Sequence, residues 1–494
     1  MTTATASVPS APGPRSPGPG GIPADIRAGR TGLCRHPIPL TGQIVAVDLA
    51  TGEARPIYDT TTDAPDGVLH VPCGNRREAV CPACSRVYKS DARQLVRAGL
   101  TGGKGIPETV AAHPCVFATF TAPSFGPVHC RRMKGRTVLP CRPRRDAKLR
   151  VCPHGRDISC PARHGEHDPR LGRALCLDCY DYQAAVLFNA HAGLLWRRFT
   201  TYLPRNLARL AGLTQKQLRA VCRVRYVKVA EYQARGVVHF HAVIRLDAPG
   251  EDYQPPPQRL TTGLLCAAIG QAATAVSVTI GPDIHPDWPA LTLRFGAQVD
   301  IKPIRHSDDL PGTGRKLSVR AVGNYIAKYA TKTLDTPGLP DRPLRSARDI
   351  GALRCHRHYK QMITTAWELG GGTYIPARLR GTAWELGGGT LVPARARLCK
   401  WAHTLGHGGH FLTKSRRYSV TFAHLRRDRQ DHRKHQRHPA GERDPWGRPL
   451  DESVVLVLEH WAYHHPARIT TSAAELALAS ATRARDHRQA AEAA

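Results

Sequence analysis

The chain has 494 residues, and 71 lysines and arginines against 39 aspartates and glutamates give it a formal net charge of +32 at pH 7. Hydrophobic residues make up 41% of it, which is close to the globular norm and leaves apolar material for about two to four domains. The sequence has no apolar run of about 18 residues and no secretory signal, which excludes a membrane span and favours a cytoplasmic protein. A chain this basic repels itself, and nucleic acid is the usual polyanion that offsets such a charge.

The first cysteine group follows a low-complexity leader. Residues 1–28 are rich in Pro, Ser, Gly and Ala and are predicted to be disordered. In the next region, 29–112, Cys81 and Cys84 form a C-x-x-C pair, and such a turn places two thiolates at two corners of the tetrahedron around Zn²⁺. The alternative is a group of free buried thiols. The predicted ligands of this first structural zinc site are Cys34, Cys73, Cys81 and Cys84.

A second cysteine group occupies residues 130–180. Because the chain shows no export signal, clustered cysteines favour metal over disulfides. We predict a second closed zinc site here, with a structural role. Its predicted ligands are Cys152, Cys160, Cys176 and Cys179. Three histidines in the same stretch are alternative ligands, namely His154, His164 and His167.

Hydrophobic periodicity predicts one strand and two helices around this second group. Residues 115–126, CVFATFTAPSFG, alternate as a β-strand does, and Pro123 ends the strand. Residues 181–203 carry apolar side chains at helical spacing, and this helix is predicted to end before Pro204. A shorter helix is predicted over 213–222.

The stretch ARGVVHFHAVIRLD places two histidines in an otherwise apolar strand. The runs 224–233 and 237–246 flank a short turn and predict a β-hairpin. Side chains alternate across a strand, so His239 and His241 share one face. Two imidazoles on one face of a rigid strand can bind a single metal ion, and Glu231 on the partner strand is a candidate third ligand. The alternative is one histidine in the core and the other in solvent.

A helix predicted over 318–334 carries two tyrosines and two lysines on one face. These residues are Tyr325, Lys328, Tyr329 and Lys332, at positions i, i+3, i+4 and i+7. A tyrosine hydroxyl can attack a phosphodiester and form a phosphotyrosine link. A neighbouring lysine favours the phenolate and offsets phosphate charge. The alternative is a solvated amphipathic face on which the lysines extend into water.

Taken together, these motifs resemble those of the HUH endonuclease superfamily. FATFTAP at 117–123, VVHFHAV at 237–243 and NYIAKYATK at 324–332 follow the order of its three motifs. Over residues 30–430 the chain is more closely similar to actinobacterial plasmid replication initiators of the RepSA type. The resemblance implies an α+β fold with a central antiparallel sheet and flanking helices. Zinc-binding insertions and a basic C-terminal helical region would be added to that sheet.

The resemblance also implies an activity and roles for single residues. His239, His241 and Glu231 would bind Mg²⁺ or Mn²⁺. Tyr325, beside Lys328, would nick one strand of plasmid origin DNA, single-stranded or supercoiled, and leave a 5′-phosphotyrosine link and a 3′-hydroxyl primer. The ends would be rejoined at termination of this rolling-circle replication.

Two further expectations accompany this activity. The second tyrosine, Tyr329, would make the second cut that ends a round. A host helicase is an implied partner, because the chain has no Walker A motif. Two other functions remain open. A two-tyrosine HUH transposase would use the same chemistry, whereas a zinc-containing DNA-binding regulator would form no covalent adduct.

The region after the tyrosine helix is predicted to bind DNA. The nicking domain would span 113–335, and a basic region at 336–440 would follow it. Within the basic region, residues 365–397 contain two near-identical 16-residue stretches with a period of 17 residues, for which a tandem duplication is the simplest account. The predicted DNA contacts are Lys332, Lys414, Arg416, Arg417 and Tyr418, with the tyrosine stacking on an exposed base.

The last region, 441–494, is predicted to be a helical tail. Its first part, DESVVLVLEHWAYHHPA at 451–467, is predicted to form a short helix. The Ala-rich end of the chain is predicted to form a terminal helix. The histidines at 403, 407 and 410 precede this tail in a basic segment and are assigned no metal.

Overall fold

A computed structural model shows where these elements lie. It describes residues 31–144, 150–165, 168, 170–250, 252–281, 290–304, 322–326, 328, 339–340, 342–371, 398–437, 445–448 and 455–464. Several predicted features lie outside the described residues, namely the leader at 1–28, His167, Tyr329, Lys332, residues 372–397 of the duplication and the terminal helix. The chain forms two compact units, one of Met1–Tyr88 with Arg427–Ala494 and the other of Lys89–Arg426. The predicted domain boundaries stay predictions.

The described strands and helices are numbered along the chain. The strands are β1 (Ile38–Asp48), β2 (Ala54–Asp59), β3 (Leu69–Val71), β4 (Cys115–Phe120), β5 (Arg132–Lys134), β6 (Thr137–Leu139), β7 (Arg223–Tyr232), β8 (Val238–Asp247), β9 (Ser277–Ile280), β10 (Leu291–Arg294), β11 (Val299–Pro303), β12 (Leu412–Lys414) and β13 (Val455–Tyr463). The helices are α1 (Thr60–Asp63), α2 (Pro82–Thr101), α3 (Tyr182–Leu210), α4 (Gln215–Val221), α5 (Thr262–Ala275), α6 (Ala347–Gly351), α7 (Arg357–Leu369) and α8 (Phe422–Arg437). Residues 322–326 and 328 are also helical and are named the tyrosine segment. Among the described helices, none combines the length and the apolar composition needed to cross a membrane.

The first unit is built around β1, which pairs antiparallel with β2, β3 and β13. The register with β13 runs from Leu40 opposite Tyr463 to Asp48 opposite Val455. The helix predicted over 451–467 is therefore wrong for the residues of β13. Valine and aromatic side chains favour a strand when a partner is present, and here the partner comes from the other end of the chain.

The second unit is built on a five-stranded antiparallel sheet with the order β11-β4-β8-β7-β12. The predicted hairpin is the β7–β8 pair at its centre, and the predicted strand at 115–126 is β4 beside it. Two small hairpins, β5–β6 and β9–β10, accompany the sheet. The prediction of a mixed fold with antiparallel sheets and flanking helices is confirmed.

The alternation of β8 separates a core face from a polar face. Phe240, Ala242 and Ile244 are buried in the hydrophobic core, which α3, α5 and α7 cover. Phe240 packs edge-on against Trp196 of α3 at 5.7 Å between ring centroids. The odd-numbered side chains, among them His239 and His241, consequently point to the opposite face.

Helix α3 is longer than its sequence predicts. It continues through Pro204 to Leu210, so the prediction that Pro204 ends it is wrong. A proline in a helix removes one backbone hydrogen bond, but the apolar spacing continues beyond it. Leu203 and Leu207 lie on the buried stripe and are almost fully covered by the core. Burial on both sides of the proline offsets the lost bond.

Tyr418 is not on a DNA-facing surface, contrary to its predicted role. Its side chain is fully buried, and its hydroxyl donates to the Val96 carbonyl of α2 at 3.2 Å. The Arg245 guanidinium lies 5.4 Å from its ring centroid. The prediction that Tyr418 stacks on an exposed base is therefore wrong. An aromatic residue in a basic stretch packs into the fold when a matching cavity exists, and Gly99 provides one.

Replacement of Gly99 by alanine tests this packing. A Cβ at Gly99 would overlap the Tyr418 ring, with Cδ1 only 2.8 Å away. Overpacking of this kind costs about 1–3 kcal/mol. We expect Gly99→Ala to lower the melting temperature in differential scanning fluorimetry.

Gly193→Ala is the matched control for this variant. Gly193 also lies in a helix, is exposed, and has nothing within 4 Å of the position of an added Cβ. Alanine is favoured over glycine inside a helix by roughly 0.5–1 kcal/mol, so this variant should melt higher. Equal shifts in the two variants would contradict the close contact at Tyr418.

Candidate metal and nucleophile site

The turn between β7 and β8 fixes the start of the histidine strand. Gly236 has a φ of +76°, which glycine adopts without strain, and its amide donates to the Gln233 carbonyl at 2.8 Å. The buried Asn189 of α3 donates to the Gly236 carbonyl at 2.9 Å and accepts from the Val238 amide at 2.9 Å. The hairpin is thus fastened to the core immediately before His239.

Glu231, His239 and His241 converge on the polar face of this hairpin. Glu231 lies directly opposite His239 in the antiparallel register. Its Oε2 lies 2.9 Å from His239 Nε2 and 3.1 Å from His241 Nε2. The two Nε2 atoms are themselves 3.1 Å apart. The three residues predicted to share a metal are therefore brought together.

The distances between these three ligand atoms fit an octahedral metal ion better than a tetrahedral one. Donors about 2.1 Å from an octahedral ion lie about 3.0 Å apart when they meet at right angles. The same donors around a tetrahedral ion would lie about 3.4 Å apart. The observed 2.9–3.1 Å matches three adjacent corners of an octahedron. Such a two-histidine, one-carboxylate set leaves the opposite corners open for substrate and water.

The protonation states of these side chains suit a cation. Burial lowers the pKa of His241 to about 4, so its imidazole is neutral near pH 7 and offers a lone pair. Burial also opposes ionisation of Glu231, but hydrogen bonds with His239 and His241 outweigh it and hold the pKa of the carboxyl below its usual value. The site therefore presents one carboxylate and neutral imidazole nitrogen to a common point.

Thr119 of β4 fixes the ring of His241. The register places Thr119 opposite His241, and its Oγ1 lies 3.0 Å from His241 Nδ1. When Nδ1–H donates to this hydroxyl, the Nε2 lone pair faces Glu231. Sequence reasoning identified Thr119 as a strand residue but missed this role, because only the pairing of β4 with β8 reveals it.

Tyr325 reaches this site from the tyrosine segment. Its hydroxyl lies 3.2 Å from His241 Nε2. Phe117 of β4 contacts both groups, since it stacks on the His241 ring at 5.8 Å and meets the Tyr325 ring edge-on at 5.6 Å. The predicted nucleophile and the predicted metal ligands are therefore neighbours. Lys328 lies three residues on and is exposed.

The sequence is similar to known replication initiator proteins. A family model described as "Replication initiator protein, pSAM2", RepSA, matches residues 24–482. A "Replication initiator protein" of Streptomyces ambofaciens is 40% identical over 439 residues, which cover 88% of this chain and 84% of that protein. The chain belongs to the RepSA family of replication initiators. The predicted resemblance to that family is confirmed. No solved structure matches the chain.

The first predicted cysteine set of this RepSA family member forms one cluster. Cys34, Cys73, Cys81 and Cys84 place their sulfur atoms within 4.8 Å of one another. Two of the separations are 3.7 Å, from Cys73 to Cys84, and 3.8 Å, from Cys34 to Cys81. Thiolates 2.3 Å from a tetrahedral Zn²⁺ lie about 3.8 Å apart. The Cys73 amide donates to Cys34 Sγ at 3.2 Å, which favours a thiolate.

The second predicted set needs a correction. Cys152, Cys176 and Cys179 cluster with His154, whose Nδ1 lies 3.2 Å from Cys179 Sγ. The predicted fourth ligand, Cys160, is absent from this cluster. It lies beside Cys141 instead, because the backbone bridge from Arg142 to Cys160 brings these segments together. Sequence spacing alone does not reveal that bridge, whereas His154 had been considered as an alternative ligand.

The residues of the basic region that are predicted to contact DNA differ in how far their side chains are exposed to solvent. Arg416 is exposed. Arg417 is partly buried and donates to the Gly250 carbonyl at 2.8 Å. The Lys414 ammonium donates to the carbonyls of Arg416 and Ser419 at 2.9 and 2.8 Å, and burial lowers its pKa to about 8. Lys414 therefore holds a turn of its own chain.

Substitution of Thr119 tests the orientation of His241. Thr119→Val removes the hydroxyl and keeps the shape, so we expect the affinity for Mn²⁺ to fall roughly 10- to 100-fold, as it does when an orienting partner of a metal-binding histidine is lost. Isothermal titration calorimetry measures this change. Thr119→Ser keeps the hydroxyl and should bind Mn²⁺ as the parent does. Parent-like affinity in Thr119→Val would show that the hydroxyl does not orient His241.

Proposed function

We propose that this RepSA family member initiates rolling-circle replication of a plasmid by nicking one strand of the origin. The observation that carries the proposal is the 3.2 Å separation between the Tyr325 hydroxyl and His241 Nε2. A tyrosine hydroxyl at the edge of a two-histidine, one-carboxylate set suits attack on a phosphodiester. Membership of a replication initiator family supports DNA as the substrate.

The proposed reaction is a transesterification at phosphorus. Tyr325 Oη forms a bond to the scissile phosphorus, and the bond from phosphorus to the 3′ oxygen breaks. The 3′ oxygen leaves with its electron pair and takes up a proton, and the phenol loses one, so the diester charge is unchanged. The products are a 5′-phosphotyrosine link and a 3′-hydroxyl that can prime synthesis. Reversal of the same step would rejoin the ends.

The residues around Tyr325 would support this step by binding a metal ion, restricting the tyrosine ring and offsetting phosphate charge. Glu231, His239 and His241 would hold Mg²⁺ or Mn²⁺, which supplies a Lewis acid for the scissile phosphate when it is bound. Phe117 restricts the Tyr325 ring by its edge-on contact. Lys328 is placed one helical turn from Tyr325 and would offset phosphate charge.

Other parts of the chain would support DNA binding. The net charge of +32 favours a polyanion, and exposed Arg416 is a candidate phosphate contact. The two clusters centred on Cys81 and Cys176 would hold structural Zn²⁺. Origin DNA and a host helicase that unwinds it are the proposed partners.

A nicking assay tests the proposal. The parent, Tyr325→Phe, Tyr329→Phe and the double variant are incubated with single-stranded origin oligonucleotides in Mn²⁺ or in EDTA. We expect a covalent protein–DNA adduct in Mn²⁺ only, and its loss in Tyr325→Phe, because phenylalanine has no attacking oxygen. Denaturing gels with labelled DNA measure the adduct.

The control is Tyr202→Phe, on the exposed side of α3, which should form the adduct as the parent does. Loss of the adduct in Tyr329→Phe alone would keep the chemistry and move the nucleophile to the second tyrosine. Tight binding without any adduct in Mn²⁺ would overturn the proposal in favour of a DNA-binding regulator. Cleavage at a transposon end, and not at a plasmid origin, would favour a transposase.

A further inference from the structure

A third cluster of potential metal ligands lies in the segment between β4 and α3. It consists of His129, Cys141, Cys160 and His164, whose ligand atoms all lie within 4.8 Å of one another. Three of these side chains belong to buried residues, and His129 is half-buried. The cluster is separate from the metal and nucleophile site and shares no residue with the other two cysteine clusters.

The separations within this cluster match a tetrahedral ion. His129 Nδ1 lies 3.2 Å from His164 Nε2, and Cys160 Sγ lies 3.5 Å from the same His164 atom. Around a tetrahedral Zn²⁺, two imidazole nitrogens lie about 3.3 Å apart, and a nitrogen and a thiolate lie about 3.5 Å apart. Both observed distances agree with these values.

Hydrogen bonds from neighbouring groups hold two of the ligands, His164 and Cys141, in position. Asp168 Oδ2 lies 2.7 Å from His164 Nδ1, which leaves His164 Nε2 to face the cluster. Arg170 in turn donates to Asp168 at 2.8 Å. A carboxylate behind a histidine is the common outer partner of a zinc ligand. On the opposite side, the Cys130 amide donates to Cys141 Sγ at 3.2 Å, which favours a thiolate there.

Backbone hydrogen bonds also bring Cys141 and Cys160 close together. The Arg142 amide donates to the Cys160 carbonyl at 2.8 Å, and the Cys141 amide donates to the Ala162 carbonyl at 2.9 Å. This pairing sets Cys141 beside Cys160 and so separates Cys160 from the cluster of Cys152. Four protein ligands complete the tetrahedral coordination of Zn²⁺, so such a site would leave no position open for substrate.

We propose that His129, Cys141, Cys160 and His164 bind a structural Zn²⁺, with Asp168 orienting His164. Two thiolates and two imidazoles are a usual donor set for closed zinc sites. Nearby Cys130 is left out of the proposed ligand set, because it is not among the four residues whose ligand atoms all lie within 4.8 Å of one another. Its sulfur lies 3.9 Å from Cys141 Sγ and 3.8 Å from the Cys141 carbonyl oxygen, to which it donates.

The position of this ion connects it to the histidine hairpin. The His129 amide donates to the Arg173 carbonyl at 2.9 Å, and the Gly172 amide donates to the His129 carbonyl at 2.8 Å. Gly172 approaches Ala234 in the turn between β7 and β8 so closely that an added Cβ would lie 3.1 Å from the Ala234 Cβ. The ion would thus hold the backbone around His129 and Gly172 against the turn that precedes His239.

Zinc content of the full chain tests the proposal. All variants are made in a His239→Ala, His241→Ala background, so that zinc at the catalytic site does not contribute. The background protein without further substitution should contain three zinc ions per chain, as measured by inductively coupled plasma mass spectrometry. Cys141→Ser and Cys160→Ser should each lose one ion, and Cys130→Ser should lose none. Cys141→Ser combined with Cys176→Ser should lose two, because the clusters are independent.

The outcomes separate the third site from its alternatives. Retention of all zinc in Cys141→Ser would overturn the proposal, and loss of one ion in Cys130→Ser would overturn the ligand set. If a serine variant does not fold, the coordination of zinc in the unsubstituted cysteine clusters tests the proposal without it. X-ray absorption of the parent gives an independent measure. Three sites would average 3 sulfurs and 1 nitrogen per zinc, whereas the other two clusters alone would average 3.5 sulfurs and 0.5 nitrogen per zinc.

Discussion

The antiparallel pairing of β7 with β8 is the interaction on which the candidate site depends. It sets Glu231 opposite His239, and the pleat returns His241 to the same face one step later. A slip of one residue in this register would turn both histidines into the core and separate them from Glu231. Asn189 prevents such a slip, because its amide group bonds both the turn carbonyl and the first amide of β8.

The two faces of the central sheet have different tasks. One face is covered by helices and carries the hydrophobic core, whereas the other carries the candidate metal and nucleophile site at one end and a buried ion pair at the other. At that second end, Arg245 makes a two-point contact with Asp247 at 2.7 and 2.8 Å, and α2 and Tyr418 cover it. Among the described residues, His239, His241 and Thr119 lie at the other end of this polar face. The candidate site therefore lies at one end of β8.

The segment between β4 and α3 contains two clusters of potential metal ligands and little apolar core. Among the described residues of that segment, Ala122, Phe125 and Tyr180 belong to the core, and Val128 and Ala174 pack against it. A stretch with so little apolar burial does not fold on hydrophobic free energy alone, and small domains of this kind commonly rely on metals. The segment nevertheless borders the hairpin turn. Tyr180, next to Cys179, donates to the Arg235 carbonyl at 2.8 Å.

The sequence by itself determined the features that depend on local pattern. Alternation predicted the hairpin and the shared face of His239 and His241, and motif order predicted the replication initiator family. Tertiary structure decided what depends on partners distant in the chain. The bridge between Arg142 and Cys160 places Cys160 in a different cluster from the predicted one. Pairing with β1 makes the residues of β13 a strand, although the sequence predicted a helix there. Tyr418 entered the core because Gly99 leaves room for its ring. Periodicity reports which face a side chain takes, but only the assembled fold reports what lies opposite it.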